Sequence, residues 1–264
     1  MNSDEVRRRW ADRSGAYSPR YYAYYGPDET SDLLAELLDS YVGPDATVLE
    51  LGCSSGRHLA HLRDRGYEDL HGVEINAEAF DVMADAYPEL AATGTFHHAA
   101  IEEVVGEFED GRFDAVFSVE TLQHVHPDSA AVFGELARIT DDLLVTVENE
   151  DRDGEPTGSP APADRDDSAD QADSPDSTDS PDTTDSPDPT GSPPDGDPDT
   201  EGGHPADGDE DRDEPAARRG VNYVHGEFPL YYRNWNRIFT ERGFAEVERR
   251  ATERDTVRAF RRED

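Results

Sequence analysis

The stretch Val48-Leu49-Glu50-Leu51-Gly52-Cys53-Ser54-Ser55-Gly56-Arg57-His58-Leu59 decides how this chain folds. Its apolar start, residues 47–51, is too short for a helix and reads as a buried strand. The strand runs into a turn bearing two glycines. A helix over 57–65 follows, stopped by Gly66. Gly52 and Gly56 allow turns, and a close ligand approach, that a side chain would forbid. The free N–H groups at the helix start offer a site to a carboxylate or phosphate.

The same alternation extends outward from this stretch. Leu33, Leu34, Leu37, Leu38 and Tyr41 recur with helical spacing before it. After it, strands over 70–75, 95–99, 113–119 and 143–148 alternate with helices over 77–87 and 129–139. A further helix at about 231–242, capped by Gly243, precedes two strands near 244–250 and 256–261. Short apolar strands between amphipathic helices imply an α/β chain whose parallel sheet is covered on both faces. The last two strands lie too close for a crossover helix, so they form a hairpin at the sheet edge. Glu74 ends the second strand, 18 residues after Gly56. An acid there can take both ribose hydroxyls of a nucleoside-bearing cofactor.

The glycine spacing separates the cofactor classes. Dinucleotide enzymes use Gly-x-Gly-x-x-Gly, whereas here Glu50, Gly52 and Gly56 frame Glu-x-Gly-x-x-x-Gly, and Ser54 would crowd a pyrophosphate. The segment resembles motif I of the class I S-adenosylmethionine-dependent methyltransferases. The resemblance spans about 45–150 and 228–262. It implies a Rossmann-like, doubly wound, mostly parallel seven-stranded sheet with an antiparallel C-terminal hairpin strand. Glu50, Gly52 and Gly56 would then line the methionine moiety and Glu74 would hold the ribose. Ala100 and Ile101 would meet the adenine, with Ala100 standing where many members carry Asp. Cys53, Ile75 and Ser118 complete the cofactor-facing set. Cys53 reads as a small filler with no catalytic part.

Reactive groups in such a sheet gather beyond the carboxyl ends of the strands. Glu120 and His124 follow the fourth strand there, and either is a candidate for acid–base catalysis. His126 belongs to the same loop, and no third ligand accompanies the two histidines to make a metal site. Tyr21 and Tyr25, from an aromatic run before the first helix, and Arg233, after the last interruption, are the candidate acceptor contacts. The function implied is transfer of a methyl group from S-adenosylmethionine to an O or N nucleophile of a small molecule.

Composition bounds the rest. The 264 residues carry 62 acids against 24 basic residues, all of them Arg, for a net charge of −38. That disfavours nucleic acid as a partner, because neutralising phosphates needs clustered cations. An acidic, Lys-free chain resembles proteins of salt-in halophilic archaea. Residues 151–216 hold 23 acids, 3 Arg and 12 of the 18 prolines, with no Val, Ile, Leu, Met, Phe, Trp, Tyr or Cys. Such a segment cannot bury enough apolar area to offset chain entropy and is expected to be disordered. It interrupts one domain, so the organisation reads as an aromatic cap over 1–27, a core over 28–150, the insertion, and the rest of the core over 217–264. One Cys excludes a disulfide framework. No apolar run long enough to span a membrane and no signal-like start are readable, which leaves a cytoplasmic expectation. Two rival functions stay open: a non-catalytic scaffold that captures a protein through its acidic insertion, and a nicotinamide-dependent oxidoreductase.

Overall fold

Val48–Leu51 (β1), Leu70–Glu74 (β2), Thr95–His98 (β3), Phe113–Val119 (β4) and Thr140–Glu148 (β5) run parallel, as their apolar runs predict. The computed structural model describes residues 1–150, 221–224, 228–252 and 254–263, and the expected disordered insertion lies outside them. Val221–Val224 (β6) and Phe228–Tyr231 (β7) form a separate antiparallel pair. Phe244–Ala251 (β8) and Thr256–Arg262 (β9) form the late hairpin, and β9 joins β5 antiparallel. The large sheet therefore has seven strands in the order β3-β2-β1-β4-β5-β9-β8. The reversal of winding on either side of β1 opens a crevice at the carboxyl ends of β1 and β4.

Helices cover both faces. They are Ser3–Ala11 (α1), Pro19–Tyr25 (α2), Glu29–Tyr41 (α3), Arg57–Asp64 (α4), Glu78–Ala86 (α5), Pro88–Thr93 (α6), Ile101–Val104 (α7), Val132–Ile139 (α8) and Trp235–Thr240 (α9). The two-residue period of a strand sends alternate side chains to opposite faces. Val48 accordingly packs with Leu34, Leu38, Leu59 and Leu62 of α3 and α4. Leu49 and Leu51 pack with Phe133 and Leu136 of α8 and Trp235 and Phe239 of α9. All described residues belong to one compact unit.

Two expected helices change their bounds, and the segment before the first expected helix has structure of its own. The cap over 1–27 is two helices, α1 and α2, joined by a turn in which Tyr17 has φ 61°. The helix expected at about 231–242 shrinks to Trp235–Thr240, because 228–231 pair as β7. The helix expected over 129–139 starts at Val132, after a 3₁₀ turn at Pro127–Ser129. For the two shortened helices, long-range pairing or a local turn overrides the helical spacing of the side chains.

Candidate active site

The turn after β1 is built from left-handed backbone. Gly52, Ser54 and Gly56 have φ of 71°, 48° and 82°. Side chains crowd the two glycines. A Cβ on Gly52 would lie 2.4 Å from the Thr121 hydroxyl, and one on Gly56 would lie 2.8 Å from Leu90. The glycines are thus required by turn geometry and by packing. Gly56 does not line the cavity described below. Glu74 holds the turn from the neighbouring strand. One carboxylate oxygen accepts the Ser54 N–H at 2.8 Å and the other accepts the Asn76 N–H at 2.8 Å.

A single cavity extends from this turn to the loop after β4. Glu50, Gly52, Cys53, Glu74 and Ile75 line one end, and Ala100 and Ile101 line the β3 side. Glu50 is buried, with one carboxylate oxygen lacking any hydrogen-bond partner. Burial pushes its carboxyl well above the ordinary range, against the pull of Arg57. Ser118 does not reach the cavity. Its hydroxyl donates to the buried Glu148 carboxylate at 2.6 Å, so it serves the loop and not the ligand space.

Glu148 organises the acceptor end. Besides Ser118, it accepts N–H groups of Thr121 at 3.2 Å, Leu122 at 2.9 Å and Gln123 at 3.2 Å. Burial pushes its carboxyl up to about 7, while these four donors draw it down. The loop it clamps places Glu120 and His124 on the cavity wall. Glu120 has φ 46° and its N–H donates to the Val147 carbonyl at 2.8 Å. The Asp255 carboxyl, reaching over from the β8–β9 connection, hydrogen-bonds Glu120 and is pushed up to about 9, first by burial and then by Glu120. His124 sits with Nδ1 2.9 Å from the Pro229 carbonyl. A carbonyl only accepts, so Nδ1 carries the hydrogen and Nε2 keeps its lone pair. Burial lowers the imidazole to about 4, so it is neutral at pH 7.

Aromatic rings close this end, though not all those expected. Trp10 of α1 packs 4.6 Å from the His124 ring and 4.3 Å from Phe228, and its indole N–H is buried without a partner. Tyr17 and Tyr22 also line the cavity. Tyr21 and Tyr25 do not. They sit four residues apart on the outer face of α2, ring centroids 4.8 Å apart, beside an unrelated surface depression. Arg233 is likewise off the cavity. Its guanidinium donates to the carbonyls of Leu122 and Tyr231, both at 3.2 Å, and of Val125, bracing the loop from behind. Sequence reasoning missed Trp10 and Asp255, whereas Tyr17 and Tyr22 belong to the aromatic run it singled out as a cover for the site. The aromatic run did signal the region, but only the rotation of α2 separates Tyr22 from Tyr21.

His58 of α4 also borders the cavity, with Nδ1 2.8 Å from the Ser31 hydroxyl. Burial, reinforced by Arg57, lowers it from 6.5 to about 3. Below pH 6.5 the unfolded chain therefore takes up a proton that the folded chain refuses, and stability falls as pH falls. The expected loss from this group is about 2 kcal/mol at pH 5 relative to pH 7. Urea midpoints at the two pH values should differ less in His58→Asn than in the wild type; an unchanged difference would remove His58 from the account.

Residues 48–142 match the family of methyltransferase domains. Over that stretch the chain is similar to a methyltransferase domain. The ubiquinone biosynthesis O-methyltransferase of Alkalilimnicola ehrlichii is 28% identical over 136 residues, covering 52% of each chain. Two solved structures share the fold across nearly the whole chain. The 1,6-didemethyltoxoflavin-N1-methyltransferase of Burkholderia thailandensis has a TM-score of 0.54 at 12% identity, covering 96% of this chain and 93% of that one. The magnesium protoporphyrin IX methyltransferase of Synechocystis PCC 6803 has a TM-score of 0.51 at 15% identity, covering 98% and 90%. The chain spans about half the length of the curated relatives it matches. Among the described residues, no helix is long and apolar enough to cross a membrane. No group of three or more His, Cys, Asp or Glu side chains among them is placed to hold a metal.

Proposed function

We propose that this chain is an S-adenosylmethionine-dependent methyltransferase acting on an O or N nucleophile of a small molecule. The observation that carries the reading is the pair of buried acids, Glu50 and Glu74, at the ends of β1 and β2 on one cavity wall. The residues present suit the cofactor. Glu50 offers a bare oxygen to an ammonium group, Glu74 retains lone pairs for ribose hydroxyls, and Ile75 and Ile101 supply apolar faces for a base. Ala100 offers no side-chain acceptor to an adenine amino group, whereas Glu102, also on the cavity wall, does. The bound cofactor supplies a methyl group on a sulfonium, an excellent leaving group, so alignment and exclusion of water carry much of the rate.

The chain's own part at the acceptor end falls to His124. Its neutral ring, oriented by the Pro229 carbonyl and braced by Trp10, presents Nε2 as the proton acceptor for an O–H or N–H nucleophile. Trp10, Tyr17 and Tyr22 shield that end from water. The O- and N-methyltransferases among the similar proteins support a small acceptor. The test is calorimetric titration with S-adenosylmethionine and with NADH in concentrated KCl, followed by transfer of a labelled methyl group into fractionated small-molecule extracts. Binding of S-adenosylmethionine and label in the product are expected. NADH binding in its place would establish the oxidoreductase, and binding of neither would leave the scaffold.

A further inference from the structure

Glu50 and Glu74 stand on adjacent strands and share one cavity, but their partners are unequal. Both Glu74 oxygens accept a backbone N–H, while one Glu50 oxygen has nothing. Two neighbouring buried carboxyls do not both ionise readily, and the proton goes to the one without donors. The groups that face Glu50 do not change this. Among the described residues, Arg57 of α4 is the cation that acts on Glu50. It already pairs with Asp28 at 2.8 Å, lies 4.8 Å from the centre of the Tyr22 ring and reaches the Gly26 carbonyl at 3.5 Å. Glu74 of β2 is like-charged, and the Cys53 thiol in the turn is held protonated by burial. Across the sheet, β2 and β4 place Gly72 and Phe117 opposite Glu50, neither of which titrates.

We propose that Glu50 stands in the free cavity as a neutral carboxylic acid and releases its proton to solvent when a ligand brings an ammonium group to it. The inference rests on the cofactor reading above. In the exchange the Glu50 O–H bond breaks, the proton passes to buffer, and the carboxylate pairs with an ammonium that keeps all its hydrogens.

The experiment compares S-adenosylhomocysteine with 5′-methylthioadenosine, which keeps the adenosine and thioether but lacks the amino acid. Each is titrated calorimetrically at pH 6 in two buffers of low and high protonation enthalpy. The expected result is about one proton released per S-adenosylhomocysteine bound and none per methylthioadenosine. Between pH 5 and 6 the affinity for S-adenosylhomocysteine should rise about tenfold, with no such rise for methylthioadenosine. Glu50→Gln should abolish both the buffer dependence and the slope. Any proton exchanged by groups around the adenosine is common to both ligands and cancels. Binding of S-adenosylhomocysteine by the wild type without proton release would overturn this inference alone. Failure of both ligands to bind would overturn the cofactor reading and this inference with it.

Discussion

Glu74→Ala should weaken S-adenosylmethionine binding at least about a hundredfold while leaving the sheet folded. The carboxylate joins two tasks. It accepts the Ser54 and Asn76 N–H groups, each at 2.8 Å, and so fixes the left-handed turn that forms the cavity wall. In the proposed complex it also receives the ribose hydroxyls. Hydrogen bonds to a charged group contribute roughly 1.5–3 kcal/mol each, so losing two or more costs about two to four powers of ten in affinity. Glu74→Gln should fall between, because its amide group turns a donor toward one of those N–H groups. Calorimetry on all three proteins, with circular dichroism to confirm folding, measures the effect. A Glu74→Ala protein that folds and binds normally would move the ribose elsewhere.

Trp235→Ala should be among the most destabilising single substitutions, costing about 3–5 kcal/mol. Trp235 has no exposed surface. Its ring meets Phe133 edge-on at 5.6 Å and stacks with Phe239 at 6.5 Å, and its indole N–H donates to the Asn149 carbonyl at 3.0 Å. It thus fastens the part of the chain after the insertion to α8 and to the end of β5. Truncation leaves a cavity and an unpaired buried carbonyl together. Trp235→Phe should cost less by filling most of the space. Urea unfolding at fixed KCl reads both, and a loss of unfolding free energy under about 1 kcal/mol for the alanine variant would show that this junction contributes little.

The sheet was legible because burial on both faces writes itself as short apolar runs. β4 spans 113–119 as expected, and the late hairpin falls within one residue of its expected bounds. The cofactor end was legible for a related reason. Glu50, Gly52, Cys53 and Glu74 lie at strand ends or in the turn that directly follows, where covalent connection and strand register leave little freedom of placement. Gly56 and Ser118 belong to the same segments but turn to packing, one against Leu90 and the other onto Glu148.

The acceptor end was legible only as a region. Glu120 and His124 sit where strand four ends, but nothing local indicates that Asp255, more than a hundred residues away, would meet Glu120, or that Pro229 would orient the imidazole. The choice of Tyr22 over Tyr21 and Tyr25 follows from how α2 is rotated against α5 and the turn, and Arg233 was drawn into carbonyls of the loop it backs. Local pattern alone determined the strands, the motif turn and the acids beside it, because period and chain connectivity act over a few residues. Tertiary structure decided which aromatic rings enclose the acceptor space, which carboxyls go unpartnered and which way His124 points, because those depend on packing between segments far apart in the chain.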